Sequence, residues 1–328
     1  MKKKLFIIAV VCCMVLCGCH RLTIRGEVVE VHGDSFTLAP DGDDPITVTM
    51  DEDTVVFSWS KDVTVSDFRS GAVDGIIVSV TGNMKQDTMD ASEVQIEGLR
   101  IRNYHTLGDG TPVDLFKASL YHTYSLEDGS ELLFVQKPTK VEETYIPGIG
   151  SLKDLPEAAQ EKIGAYYDAQ GLLYDELQTL EDAYDAYLAA ENFQTCTLGQ
   201  EIFPSAVNEE IIYFMTIASL PETEARLCAA FDKQSGEEIP MEEIFACEPR
   251  ELGSRLAEIS GITDETLIEE IKAAFRLEYV TVSQNYLEVN FPAGTLSSEE
   301  FALGMGFDYN EDVCELFQPW ALPNGGTE

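Results

Sequence analysis

FDKQSGEEIPMEEIF, residues 231–245, places five acids (Asp232, Glu237, Glu238, Glu242 and Glu243) around a single lysine. Such a cluster is either a site for a metal or a catalytic proton, or the wet side of a strand, a turn and a helix. The apolar positions decide between them. "AAFD" ends an extended run, "KQSG" makes a tight turn with Gly236 at its end, "EEIP" returns as a short strand, and "MEEIF" opens a helix. On that layout Phe231, Ile239, Ile244 and Phe245 point inward and the acids face water, so the stretch reads as scaffold.

Working upstream, "FQTCTLGQEIF", "EEIIYFMTIASL" and "ARLCAAFD" read as consecutive antiparallel strands. Before them, residues 156–191 form one long helical stretch, with Tyr166, Tyr167, Leu173, Leu177, Leu180, Tyr184 and Leu188 recurring at helical spacing as a core stripe. Gly164 and Gly171 interrupt it. "LYHTYSLEDGSELLFVQ" is extended on both sides of an Asp128-Gly129 turn.

The first hundred residues have a different grain. "IRGEVVEVHGDSFTLAP" alternates, turns at His32-Gly33-Asp34 and alternates again. "ITVTMDEDTVVFSW", "DFRSGAVDGIIVSVTGNM" and "ASEVQIEGLRI" continue the pattern, which gives about five strands, short loops and almost no helix. This part resembles the small OB-like barrels at the front of exported proteins. OB barrels can hold nucleic acid or sugar, but Trp59 is the single tryptophan here and no basic, aromatic face accompanies it, so a structural spacer is expected. The Gly- and Pro-containing stretch 103–117 is expected to join this barrel to a second domain.

Lys2, Lys3 and Lys4 precede an apolar run, residues 5–16, that is short for a membrane span, and the run ends in Leu16-Cys17-Gly18-Cys19. This resembles the lipobox of bacterial lipoproteins, which implies lipidation of Cys19 and an anchor on the extracytoplasmic face of the cell membrane. Removing residues 1–18 takes the formal net charge from −38 to −41. A surface so acidic repels nucleic acid and attracts cations or basic proteins. Cys196, Cys228, Cys247 and Cys314 remain in the body without a CxxC, as buried thiols or as two disulfides in any of three pairings.

No catalytic, cofactor-binding or metal-ligating residue is assigned. His20, His32, His105 and His122 are widely spaced and lie in no HExxH or nucleophile motif. "DYNED" starts like a calcium loop, but Val313 stands where the bend requires glycine and Pro319 where glutamate closes the loop.

The order FDKQSGEEIPMEEIF, then "ELGSRLAEI", then "FRLEYVTVSQNYLEVNFPAGTLSSEEFALGMGFDYNED" resembles the extracellular module shared by a lysozyme-sensing anti-sigma factor and by exported peptidoglycan deacetylases, the RsiV/PdaC type. In that family an FD-x-x-(T/S)-G turn precedes a Leu/Ile-rich helix start, and a late apolar strand ends in F-P. A Gly-Ala-His stretch usual before the FD is replaced here by "ASLPETEARLCAAFD". The resemblance implies an α+β fold and a binding role.

The expected plan is a signal peptide (1–18), an OB-like β-barrel (19–102), a linker (103–117) and an RsiV/PdaC-like domain of antiparallel sheet and helices (118–328). Without a cytoplasmic sigma-binding segment or a deacetylase domain, the expected function is a surface-anchored, non-catalytic lipoprotein binding a basic, lysozyme-like extracellular protein or peptidoglycan. A carboxylate-dependent wall hydrolase and a structural spacer are the alternatives.

Overall fold

The computed structural model describes residues 21–40 and 42–324. Cys19, the expected lipidation site, lies outside them. The protein is α+β and rich in sheet, and it divides into two compact units: Met1–Val135 with Leu180–Thr195, and Gln136–Thr179 with Cys196–Glu328. No helix among the described residues is long and apolar enough to cross a membrane.

In the first unit β1 (Leu22–His32), β2 (Ser35–Pro40) and β3 (Ile46–Thr49) form an antiparallel meander. The short β4 (Val55–Ser58) pairs parallel to β6 (Thr88–Thr106). β3 also runs parallel to β6, β6 pairs antiparallel with β5 (Ile76–Lys85), and β5 pairs antiparallel with β1. Each of β1, β2, β3, β5 and β6 therefore has two of the others as neighbours. Alternation in these strands sends Phe36, Leu38, Val48, Val78, Val80, Val94 and Ile96 into one buried cluster.

One helix, α1 (Val65–Ser70), lies between β4 and β5, where the sequence suggested almost none. Its signal is local. The Thr64 hydroxyl accepts from Asp67 N (3.1 Å), the Asp67 carboxylate accepts from Thr64 N (2.8 Å), and Gly71 at φ 63° closes the last turn. Phe68 then meets Phe36 edge to face, with ring centres 5.2 Å apart.

The expected joint at 103–117 is paired strand at both ends. β6 continues to Thr106 and β7 (Pro112–Ala118) returns along it, because Leu107 and Thr111 close a hairpin whose Gly110 takes φ 93°. The compact unit runs on through β8 (Tyr121–Ser125) and most of β9 (Glu131–Gln136).

The second unit is layered about a sheet ordered β15-β14-β13-β12, formed by β12 (Cys196–Val207), β13 (Ile211–Ser219), β14 (Glu224–Asp232) and β15 (Glu238–Ile239). The short pair β10 (Tyr145–Ile146) and β11 (Gly150–Ser151) precedes it. On one face of the sheet Ile212, Phe214, Ala229 and Phe231 pack on Ile163 and Tyr167 of α2 (Glu157–Gln170). On the other, Ala206, Tyr213 and Ala230 pack on helices and on a second sheet. These helices are α5 (Pro249–Ile259) and α6 (Glu265–Ala274), and the second sheet is β16 (Val280–Val282), β17 (Tyr286–Phe291) and β18 (Leu303–Asp308).

The stretch expected as one long helix is two. α2 stops at Gly171 (φ 65°, ψ −151°), and α3 (Glu176–Ala189) starts afresh. The buried amide of Gln200 holds the break, donating to Gly171 O (2.9 Å) and accepting from Leu173 N (2.8 Å).

Residues 231–245 fold as the sequence suggested. Phe231, Ile244 and Phe245 are buried, with Ile244 in α4 (Met241–Ile244), while Glu237, Glu238, Glu242 and Glu243 are exposed. Asp232 is part of the turn: its carboxylate accepts from Gln234 N, Ser235 N and the Ser235 hydroxyl. Those bonds, Ser235 first, hold its pKa below the usual carboxylate value.

Candidate functional site

The sequence singled out few chemical groups, and the fold keeps them apart. His32 on β1 is exposed beside Glu30 (3.1 Å), His105 on β6 is 3.8 Å from Glu181, and His122 on β8 lies edge-on to Tyr124. Asn310 of "DYNED" caps α7 (Glu311–Cys314), accepting from Val313 N. Cys196, Cys228, Cys247 and Cys314 are free thiols, and burial pushes the Cys228 thiol up to about 11. Among the described residues no group of three or more His, Cys, Asp or Glu is arranged to hold a metal.

The feature that does gather chemistry is a cavity of about 630 Å³ in the second unit, between the start of β14, β17 and β18. Odd-numbered residues of β17 (Leu287, Val289 and Phe291) enter the core, so Glu288 and Asn290 face the other way. Opposite them on β18 stand Gly306 and Gly304. Neither glycine has a positive φ, and a Cβ on Gly306 would meet nothing within 4 Å. Backbone geometry therefore does not require glycine at 306. Gly304 borders the cavity and, carrying no side chain, leaves the floor of a trough open.

The trough is charged. The Arg226 guanidinium reaches from β14 to Glu288 (2.7 Å) and also engages Glu224. Glu222 and Glu278 complete the lining, four carboxylates against one guanidinium. Such a lining favours a cationic group. Tyr279, Leu227 and Leu303 supply apolar wall, and Phe301 stands at the rim, 76% exposed. Asn290 Nδ2 is buried and has no hydrogen-bond partner among the described residues, which leaves a donor aimed at nothing the protein supplies.

The segment that carries Phe301, residues 292–302, is tied down. Leu296 is buried, and Glu270 of α6 accepts from Ser298 N (2.9 Å) and from the hydroxyls of Ser297 and Ser298. These bonds, the Ser297 hydroxyl first, pull the Glu270 carboxyl down to about 2. An aromatic side chain is thus held in water by a fixed loop. The sequence reading missed this site. Its signal was "ALGMGFD", two glycines alternating within a strand, a pattern that marks close approach to a strand surface.

A second groove, about 490 Å³, runs along α2 past Gly164; Gln200 in its lining is engaged in closing that helix, while the buried Tyr167 hydroxyl has no hydrogen-bond partner among the described residues.

No family model matches the chain, and no curated protein matches it. Among solved structures, a DUF3298 family protein of Pseudomonas aeruginosa aligns over 69% of this chain and 94% of its own, at 9% identity and a TM-score of 0.30. A DUF3298 family member from Bacteroides fragilis aligns over 68% and 92%, at 8% identity and a TM-score of 0.33. Nothing about the site rests on them.

Proposed function

We propose that this chain is a lipoprotein held by a lipid on Cys19 at the extracytoplasmic face of a bacterial membrane, and that its second unit binds a basic extracellular protein or a cell-wall component without catalysis. The observation that carries the binding role is the trough. It combines an exposed aromatic beside a tied-down loop, a carboxylate-rich lining and a floor left open at Gly304. A basic side chain fits it: the alkyl stem lies along Tyr279 and Leu303, and the cation meets the carboxylates and the face of Phe301.

Two finer readings belong to the same proposal. The five-strand circuit, with its parallel β3–β6 pair and α1 before β5, supports an OB-like barrel serving as a spacer. The FDKQSG turn, the helix after it and the late strand ending in Phe291-Pro292 support an RsiV/PdaC-type module, for which a lysozyme-like protein is the first partner to test. Incubating the mature protein with purified peptidoglycan separates the functional classes. Soluble products identify a hydrolase and overturn the proposal; co-sedimentation alone identifies a wall binder; neither result leaves a protein partner, which calorimetry against lysozyme then tests.

A further inference from the structure

β18 presents a sheet edge that the fold leaves open. It is an outer strand of the β16-β17-β18 sheet, six residues long, and it pairs with β17 along its whole length without a bulge. It has no proline, and its first charged residue is Asp308, the last of the strand. Beyond the pairing with β17, no backbone N–H or C=O of residues 303–307 has a hydrogen-bond partner among the described residues. Other outer strands of this unit are protected. β15 is two residues long, carries Glu238 and runs into Pro240. β16 is three residues long and wholly buried, and the Ser205 hydroxyl of β12 donates to Val282 O at its end (2.7 Å). An edge with neither charge, proline nor bulge is a template for another strand.

This edge borders the trough. On the face that β18 shares with Glu288 and Asn290 of β17 stand Gly304 and Gly306, both exposed. Gly304 lines the cavity, and a Cβ on Gly306 would meet nothing within 4 Å. A strand added here lies about 4.8 Å from β18, and alternate side chains of it stand on that same face. With no side chain on either glycine, a long one from the added strand can lie across β18 toward Glu288 and Glu224, which with Glu222 and Glu278 set four carboxylates against Arg226.

We infer that the partner's binding segment is an extended stretch of basic chain that adds a strand along β18, its backbone pairing with residues 303–307 and a lysine or arginine entering the trough. The inference rests on the trough as the binding site proposed above and adds the conformation of what binds there. Charge selects this occupant over a second copy of the chain, since two copies at −41 each repel. Backbone bonds supply affinity, and the acidic trough fixes which residue of the segment lies opposite Gly304.

The test titrates the mature protein with a capped octapeptide alternating lysine and valine, read by calorimetry and by hydrogen exchange of the β18 amides. Three forms are compared: unmodified, backbone N-methylated at every lysine, and backbone N-methylated at every valine. Alternate residues of a strand turn their N–H groups to opposite edges, so one methylation blocks the pairing edge and the other leaves it free, at the same charge. The unmodified peptide is expected to bind, to protect amides within 303–308 and to bind more weakly to Glu288→Gln. One methylated form is expected to lose about tenfold or more in affinity while the other keeps it. Binding that Glu288→Gln weakens but both methylated forms retain, without protection of β18, overturns strand addition and leaves the trough standing. No heat from any of the three forms overturns the trough as a site for basic chain, and strand addition with it. A concentration-dependent dimer of the free protein in sedimentation, with the β18 amides already protected, overturns the inference by showing the edge filled by a second copy.

Discussion

Replacing Asn290 by leucine tests the trough from the side of stability. Asn290 Nδ2 is buried without a partner among the described residues, in a strand whose alternate residues fill the core. A buried donor left unsatisfied costs about 1–3 kcal/mol. Leucine has a similar shape, removes the donor and presents apolar surface to the same wall, so Asn290→Leu is expected to stabilise the protein by about that amount. In a unit of this size each kcal/mol raises Tm by about 2–4 °C. Urea unfolding followed by far-ultraviolet dichroism reads the change, with an unchanged m value showing that the unfolded state has not shifted. A variant destabilised by 1 kcal/mol or more would refute the reasoning, because it would mean that the native amide is engaged within the fold.

Gly306→Thr places a β-branched side chain in open space, so it is expected to gain about 0.5–1 kcal/mol in urea unfolding; a loss of stability counts against the reading that the backbone there does not require glycine. Glu270 is held near pKa 2 against an ordinary 4.5, and a depressed carboxyl stabilises above its unfolded value. The tie to residues 297–298 is therefore complete above about pH 4.5 and fades as pH falls toward 2, and hydrogen exchange in 292–302 is expected to rise over that window and in Glu270→Gln at neutral pH. Cys19→Ala is expected to release the protein from the membrane fraction; unchanged fractionation, with no lipid mass on the wild type, counts against the anchor.

Most of the elements were legible because their signals are local. The alternation of β1 and β2, the Asp232 turn and the apolar order Phe231, Ile239, Ile244, Phe245 each follow from residues a few positions apart. Two boundaries were misread for reasons equally local in space but not in sequence. Gly171 breaks the long helix because Gln200, a residue of β12, caps both sides of the break. The stretch 103–117 looked like a linker because Gly108, Gly110 and Pro112 cluster in it, yet they shape one hairpin between two paired strands. The trough was invisible from sequence because its parts come from β14, β17, β18 and the 292–302 loop, and only the fold sets Arg226 against Glu288, 62 positions later.

The most direct test is calorimetric titration of the mature protein and of Phe301→Ala with lysozyme, at low salt and again at 0.5 M salt, where the Debye length falls to about 4 Å. Phe301 is 76% exposed, so its truncation leaves the core untouched, while loss of an aromatic anchor at an interface removes about 2 kcal/mol, about thirtyfold in affinity. The account requires wild-type binding that survives high salt and weakens by that order in Phe301→Ala. No heat at either salt, or binding that disappears at high salt and ignores Phe301, would contradict it.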